Sequence, residues 1–382
     1  MKVSTYCYNG SWNHKFKNVS NVSKTLVLLF GSAKQELIKE PLAEVLEFFQ
    51  DTFILGASTS GEICQDEILS HSLVVSVIEF ENTSIKSLNI KIQSIEDSFK
   101  YGTQLANTLK ADDLKAIFVL SDGLKINGSQ LTDGISSTID KSVVVTGGLA
   151  GDDDRFNKTW TIVNNEAVTG YVTAFGLYGD YLEVAYGSKG GWDKLGIQRL
   201  VTKSKNNILY EVDSQPALLL YKKYLGEKAK ELPASGLLFP LELKMTQDSE
   251  DSKVRTISAI DEEEQSITFA GDIPEGSYVT LMKSNPDRLI DGAYDAAQKV
   301  FLDNYKDEEI LSIAISCVGR RLVLKQRIEE ELEATLEVLP EKTKQIGFYS
   351  YGEISPLLSG KCDFHNQTMT LTTFWERDAS SS

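Results

Sequence analysis

Gly56-Ala57-Ser58-Thr59-Ser60-Gly61-Glu62-Ile63 and Gly347-Phe348-Tyr349-Ser350-Tyr351-Gly352-Glu353-Ile354 carry one pattern, G-x4-G-E-I, towards the two ends of a 382-residue chain. Upstream of Gly56 lie a β-rich run at 25–30 and apolar residues at helical spacing (Leu37, Ile38, Leu42, Val45, Leu46, Phe49), with Pro41 placing a kink or restart. A short apolar strand at 52–55 then enters the motif. Upstream of Gly347 the same order recurs: a strand at 310–316, a helical stripe of Leu324, Ile328, Leu332 and Leu336, and a strand at 346–351. Each motif is followed by a strand opening on histidine, His71 over 71–80 and His365 over 365–374. Four identities at one spacing in one context predict an internal duplication, and periods far above about 50 residues exclude a solenoid.

The plan appears once more in between. A strand at 116–120, a helix marked by Leu131, Ile135 and Ile139, and a strand at 143–145 run into Gly147-Gly148-Leu149-Ala150-Gly151-Asp152; strands at 159–163 and 171–177 follow. Further on, Asp213 or Ser214 as N-cap with Pro216 near N1 predicts a helix through Leu225, and a second helix is expected over 286–301. Acidic 247–251 and 261–264 read as hairpin tips. The expected class is α/β (α+β), with two related domains whose mixed sheets are built from strand–helix–strand units and hairpin returns. The divisions are an N-terminal extension (1–24), a first domain (25–200), a junction (201–230), a second domain (231–376) and a flexible tail (377–382).

Lys+Arg number 39 against 55 Asp+Glu, a formal charge of -16. That excess repels phosphate backbones and anionic lipid, so nucleic acid and the membrane surface are excluded as partners. The longest apolar run, 26–30, falls far short of the roughly 20 residues of a membrane-crossing helix, and it follows a polar stretch unlike a secretory leader. The expected compartment is the cytoplasm. Cys7, Cys64, Cys317 and Cys362 form no CxxC pair and are expected to be reduced.

The loop 56–63 places Ser58, Thr59 and Ser60 between two glycines at a strand end. Such a loop offers backbone N–H groups and short donors to a carboxylate, amide or phosphate; a tight turn in a sheet would read the same. It lacks the Lys of a P-loop, the G-x-G of a dinucleotide site and the G-x-S-x-G of a nucleophile elbow. Glu62 and Glu353 either meet a ligand cation or cap neighbouring backbone amides. Asp152, against the Gly147–Gly151 turn, is a ligand contact or a loop-fixing residue, and Asp152-Asp153-Asp154 does not have EF-hand spacing. Arg320 or Arg321, where a strand turns into a helix, offers a bidentate carboxylate clamp, or else a surface ion pair. His365 and Asn366 open a strand as a dense set of donors and acceptors. With three histidines and no Cys/His cluster, no metal is expected.

At these residues the chain resembles the FIST family, with its FIST N and FIST C domains in order. The N-part pieces are GASTSGEI (56–63), GGLAGD (147–152) and GGWDKLG (190–196) followed by VT (201–202). LYEVDSQPALLLYKKYLG (209–226) matches the junction, and CVGRR (317–321), GFYSYGEISP (347–356) and FHNQTMTLT (364–372) match the C part. The similarity spans about 25–375. Ala57 stands where the family often has Cys, which weakens any reactive-thiol reading of that loop.

The resemblance implies a cytoplasmic sensory module without a cofactor. It would bind a small polar ligand, an amino acid being the proposed class, and signal through a partner such as a histidine kinase, a chemotaxis transducer or a cyclic-dinucleotide protein. On this view the loops 56–62, 147–152 and 347–353 converge, with Arg320 and His365, on a pocket at strand ends. The candidate contacts are Ser58, Thr59, Ser60, Glu62, Asp152, Arg320, Tyr349, Tyr351, Glu353, His365 and Asn366. The alternative is an enzyme in which a carboxylate and His365 form an acid–base pair.

Overall fold

The computed structural model describes residues 1–303, 305–357 and 359–377. The first unit comprises β1 (Lys2–Tyr8), β2 (Thr25–Ser32), α1 (Gln35–Phe48), β3 (Phe53–Thr59), a hairpin of β4 (Glu62–Cys64) and β5 (Glu67–Leu69), and the return strand β6 (Leu73–Glu79). The second comprises β7 (Ser84–Lys91), α2 (Ser98–Leu109), β8 (Leu114–Ser121), α3 (Gly128–Ser136), β9 (Val144–Leu149), the hairpin β10 (Thr161–Val163) and β11 (Glu166–Val168), and β12 (Tyr171–Tyr178).

The third unit starts with β13 (Leu182–Lys189) and is then interrupted by nine strands that form their own sheet. These are β14 (Asp193–Lys194), β15 (Arg199–Lys205), β16 (Ile208–Val212), β17 (Gln215–Pro216), β18 (Leu241–Lys244), β19 (Lys253–Arg255), β20 (Ile257–Asp261), β21 (Ser266–Phe269) and β22 (Tyr278–Lys283), with α4 (Ala217–Leu225) packed on them. The unit resumes with α5 (Pro286–Gln298), β23 (Leu311–Cys317), α6 (Val318–Leu324), α7 (Ile328–Val338), β24 (Lys344–Ser350), the hairpin β25 (Gly352–Pro356) and β26 (Cys362–His365), and β27 (Met369–Glu376).

Three six-stranded sheets result, in the orders β1-β6-β2-β3-β10-β11, β7-β12-β8-β9-β25-β26 and β13-β27-β23-β24-β4-β5. Each has one parallel pair (β2/β3, β8/β9, β23/β24), as a strand–helix–strand crossover requires. Each also ends in a hairpin taken from another unit, so the exchange is cyclic: the first unit lends to the third, the third to the second, the second to the first. The pairing Gly347↔Ile63 crosses any boundary near residue 200.

The central strands are buried on both faces, which is why β2 reads as an unbroken apolar run. Their inner faces meet around Phe30, Phe118, Phe175 and Phe348, with Phe30 and Phe348 centroids 4.6 Å apart. Helices cover the outer faces: α1 through Ile38, Leu42 and Val45, α2 and α3 through Leu105 and Leu131, α5 and α7 through Ala293 and Leu332.

The first glycine of each motif sits at one equivalent place. Gly56, Gly147 and Gly347 face Leu29, Val119 and Ala314 across the parallel pair. A Cβ there would lie 2.7, 1.9 and 1.7 Å from the facing carbonyl oxygen. The spacing thus begins with a close backbone approach that only glycine permits.

Several expectations are corrected. Cys7 and Cys64 form a disulfide with Cα atoms 6.7 Å apart, tying β1 to the lent hairpin; nothing in a 57-residue separation announces it. Cys317 and Cys362 are free and buried. The return strands start after His71 and His365, at Leu73 and Met369, and His365 closes β26. The residue equivalent to His71 is Gln367: both have positive φ (60° and 62°) just before Ser72 and Thr368. Asp213 and Ser214 do not cap α4, whose N-cap is Pro216; they turn with positive φ between β16 and β17. Helix α1 runs through Pro41 without a restart. Residues 1–24 contribute β1, paired along its length with β6. Of the expected tail, 378–382 lie outside the described residues, and Arg377 pairs with Glu183 at 2.6 Å.

Because a methyl at 347 has only the Ala314 carbonyl to enter, Gly347→Ala should cost about 3 kcal/mol. Gly196, whose Cβ would meet Leu281 at an ordinary 3.8 Å, should tolerate alanine within about 0.5 kcal/mol. Urea unfolding midpoints of the two variants check this; equal midpoints would refute the close-approach account.

Candidate functional site

The three loops do converge, and hydrogen bonds close them on one another. Ser60 N–H donates to Tyr349 O at 2.8 Å, Tyr349 N–H to Gly61 O at 2.9 Å, Gly151 N–H to Ser58 O at 3.0 Å and Tyr351 N–H to Leu149 O at 3.2 Å. Ser58 Oγ accepts from Trp160 N–H at 3.0 Å, and Ser60 Oγ from Asp153 N–H at 3.0 Å. Asp152 Oδ2 accepts from the N–H groups of Asn157 (2.9 Å) and Lys158 (2.8 Å), and its Oδ1 from the Tyr351 hydroxyl, so it fixes its own loop. Tyr351 is stacked under the largely exposed Phe156, centroids 4.5 Å apart. The centre is packed rather than open, since strand ends from three units meet there.

Within it, Glu62 and Glu353 are structural twins. Glu62 Oε1 accepts from the Thr59 hydroxyl, and its Oε2 from Ser72 N–H at 3.2 Å and Ser72 Oγ–H at 2.6 Å. Glu353 Oε1 accepts from Ser350 Oγ–H at 2.9 Å, and its Oε2 from Thr368 N–H at 3.1 Å and Thr368 Oγ1–H at 2.7 Å. Each carboxyl therefore clamps the first turn of its unit to the start of the return strand. Burial disfavours the charged form and pushes both up to about 7, against the pull of those donors.

Arg320 is fully buried and closed. Its Nε and Nη2 donate to Glu331 Oε2 at 3.0 and 2.7 Å, Nη2 also to Leu289 O at 2.7 Å, and Nη1 to Gly190 O. Glu331 further accepts from the Tyr349 hydroxyl and from Ser316 Oγ–H at 3.2 Å. The expected exposed clamp is thus an internal ion pair, because α6 starts directly after β23 and turns position 320 inward. Arg321, one residue on, is the guanidinium at the loops: it reaches Ser60 O, Asp153 Oδ1 at 3.3 Å and Ser70 Oγ at 2.8 Å, over the Tyr349 ring. The sequence left 320 and 321 undecided, and only the phase of α6 separates them.

An open cavity of about 660 Å³ lies to one side, between the third unit and the inserted sheet. Its walls include the end of β13 with Gly190-Gly191-Trp192, the hairpin between β18 and β19, the segment after α5, and His365 and Thr368. His365 Nε2 lies 2.9 Å from Ser355 O; donating there leaves Nδ1 as the acceptor. Burial holds its pKa down at about 4, so the imidazole is neutral. Lys253 pairs with Asp363 at 2.5 Å, and its pKa is lowered by burial and by Arg255. Asn366 is fully buried, with neither amide atom bonded among the described residues. Of the candidate contacts, His365 alone lines the cavity; the Ser58–Glu62, Asp152 and Tyr349–Glu353 groups and Arg320 belong to the closed centre. The cavity's lysines were missed because positions 189 to 299 are joined only by the fold. No group of three or more possible metal ligands occurs among the described residues, and none of their helices is long and apolar enough to cross a membrane.

The FIST N domain family matches residues 25–215, and the FIST C domain family residues 217–356. An uncharacterized protein of Methanocaldococcus jannaschii is 24% identical over 412 aligned positions, covering 95% of this chain and 76% of that protein. Among solved structures, cyanuric acid hydrolase from A. caulinodans covers 77% of this chain and 99% of its own at 10% identity, with a TM-score of 0.18.

Glu62 and Glu353, raised from an ordinary 4.5, keep their protons in the folded state between pH 4.5 and 7 while the unfolded chain has lost them. They therefore make stability fall as pH rises through that window, by up to about 1.4 kcal/mol per pH unit for each carboxyl. His365, depressed, gives the opposite slope between about 4 and 6.5. The difference between wild type and Glu62→Gln/Glu353→Gln isolates the pair: urea unfolding at pH 5, 6 and 7 should show the variant gaining on wild type as pH rises. Parallel curves would refute the shifted carboxyls.

Proposed function

The chain belongs to the FIST family, and on that premise we propose that it is a non-enzymatic cytoplasmic sensor that binds a small polar metabolite and signals by contact with a partner protein. FIST domains are generally sensory and signalling domains. The observation that carries the proposal is the 660 Å³ cavity at the seam between the third unit and the inserted sheet. Its volume suits a metabolite-sized ligand, typical sites being about 300–1,000 Å³. A ligand touching both walls binds differently according to how the inserted sheet sits on the core, and differential affinity is what a sensor needs.

The lining suits a ligand with both charge signs, such as an amino acid or a related compound. Lys189 and Lys299 line it together with Glu250, Asp251 and His365. Thr368 joins the cavity to the closed centre, because its N–H and hydroxyl both bond Glu353. Gly190 joins it to the Arg320–Glu331–Tyr349 network. Ser58, Thr59, Ser60, Glu62, Asp152, Tyr351 and Asn366 would then act behind the ligand, holding the strand ends that respond to it. Histidine kinases, chemotaxis transducers and cyclic-dinucleotide proteins are the partner classes this reading favours.

The alternative, an acid–base enzyme built on His365, fits less well. A neutral imidazole whose Nε2–H is committed to a carbonyl, with a pKa near 4, is a weak general base at pH 7.

A thermal-shift panel of amino acids and other small polar metabolites, followed by proton NMR of any stabilising compound, separates the readings. The sensor reading expects a saturable rise in melting temperature with the compound recovered unchanged. Conversion of the compound would favour the enzyme, and no shift across the panel would overturn ligand sensing.

A further inference from the structure

Four lysines line the cavity, and they fall into two kinds. Lys194 is paired with Glu242 at 2.8 Å, and Lys253 with Asp363 at 2.5 Å. Lys189 and Lys299 have no carboxylate within 4 Å among the described residues. We propose that Lys189 and Lys299 form an anion subsite in this cavity that takes a compact dianion, a phosphate monoester or a short dicarboxylate. The proposal rests on the cavity being the ligand site of the sensory reading and narrows that ligand to one carrying a phosphate ester or a second carboxylate, which excludes a simple monocarboxylate amino acid.

The fold brings the two residues to one cavity from distant places in the chain. Lys189 is the last residue of β13, and Lys299 is the C-cap of α5, the helix that packs against β13. Lys299 Nζ donates to Ser188 O at 3.1 Å, which fixes its head group at the backbone next to Lys189. Burial and the charge of Lys189 hold the Lys299 pKa below its ordinary value, against an opposing pull from Asp295. Two like charges lining one cavity, Lys299 half-buried and Lys189 exposed, repel each other until an anion shares them. A doubly charged anion answers both at once, where a single carboxylate leaves one repulsion in place.

The rest of the lining sets direction. Glu250 and Asp251 on the opposite hairpin repel an anion, and Asp303 stands beyond ion-pair distance of both lysines. In a chain of net charge -16, two lysines without a carboxylate within 4 Å among the described residues are a local exception to the overall charge. Two ammonium groups act as point charges rather than a planar fork, which suits phosphate and closely spaced carboxylates alike.

The test titrates the full chain with inorganic phosphate and, separately, with malonate, at ionic strength held constant with sodium chloride. Wild type, Lys189→Met, Lys299→Met and the control Lys223→Met, an exposed lysine of α4 outside the cavity, are compared by calorimetry and melting temperature. We expect saturable binding of at least one dianion to wild type and to Lys223→Met, and about tenfold or greater weakening in each cavity variant. The tighter of the two probes assigns the class, phosphate ester or dicarboxylate. If Lys299→Met does not fold, Lys189→Met, at an exposed position, carries the comparison. No saturable binding by either dianion, or equal binding in wild type and the cavity variants, overturns the subsite. In the first case, a neutral or zwitterionic metabolite that still stabilises the protein leaves the sensory reading standing; absence of any stabilising compound removes both.

Discussion

Backbone hydrogen bonding at the open edges of three parallel strand pairs governs this molecule. β3, β9 and β24 each need a partner on their outer side, and each finds it in another unit's hairpin: β10, β25 and β4. A buried backbone N–H or C=O left unpaired is costly, so no unit completes its sheet alone. The glycines at 56, 147 and 347 belong to the parallel pairs themselves, whose facing strands approach too closely there for a side chain. Glu62 and Glu353 hold the lent hairpins and the return strands in register. The two FIST domains are therefore joined through one interlocked core that carries the inserted sheet.

That construction separates the closed centre from the open space. The strand ends, where sheet proteins commonly keep their ligands, are filled by one another's loops. The open space lies instead where the inserted sheet meets β13 and the segment after α5. Two buried connections run from that space into the core: Gly190 to Arg320, Glu331 and Tyr349, and Thr368 to Glu353. These bonds join the cavity walls to the closed centre that holds the loops at 56–63 and 347–354.

Much of the core was legible in the sequence, for identifiable reasons. Apolar runs and helical spacing mark β2, β8, β23 and the helices beside them, because each packs on both faces or along one stripe. The G-x4-G-E-I repeat marks two of three equivalent turns; the third, ending in Asp152, uses a shorter loop and a different clamp. The hairpin exchange was not legible: β4 is three residues long, and its partner lies some 280 residues away, where local preference says nothing. The Cys7–Cys64 pairing depends on that same exchange. Arg320 and Arg321 could not be told apart because adjacent residues on a helix face different ways, and the helix boundary decides which one is buried. The lysines at 189 and 299 carry no motif at all; β13 and α5 bring them together only once the third unit closes around its insertion.

Native-state hydrogen exchange, resolved to the hairpin amides at 62–69, 161–168 and 352–365, tests the interlocked core most directly. If the exchanged hairpins hold the core together, these amides open with the same free energy as those of β2, β8 and β23, through one cooperative global unfolding. Hairpins that exchange well ahead of the central strands, or a first unit that opens while the third stays protected, would show independent domains and contradict the account.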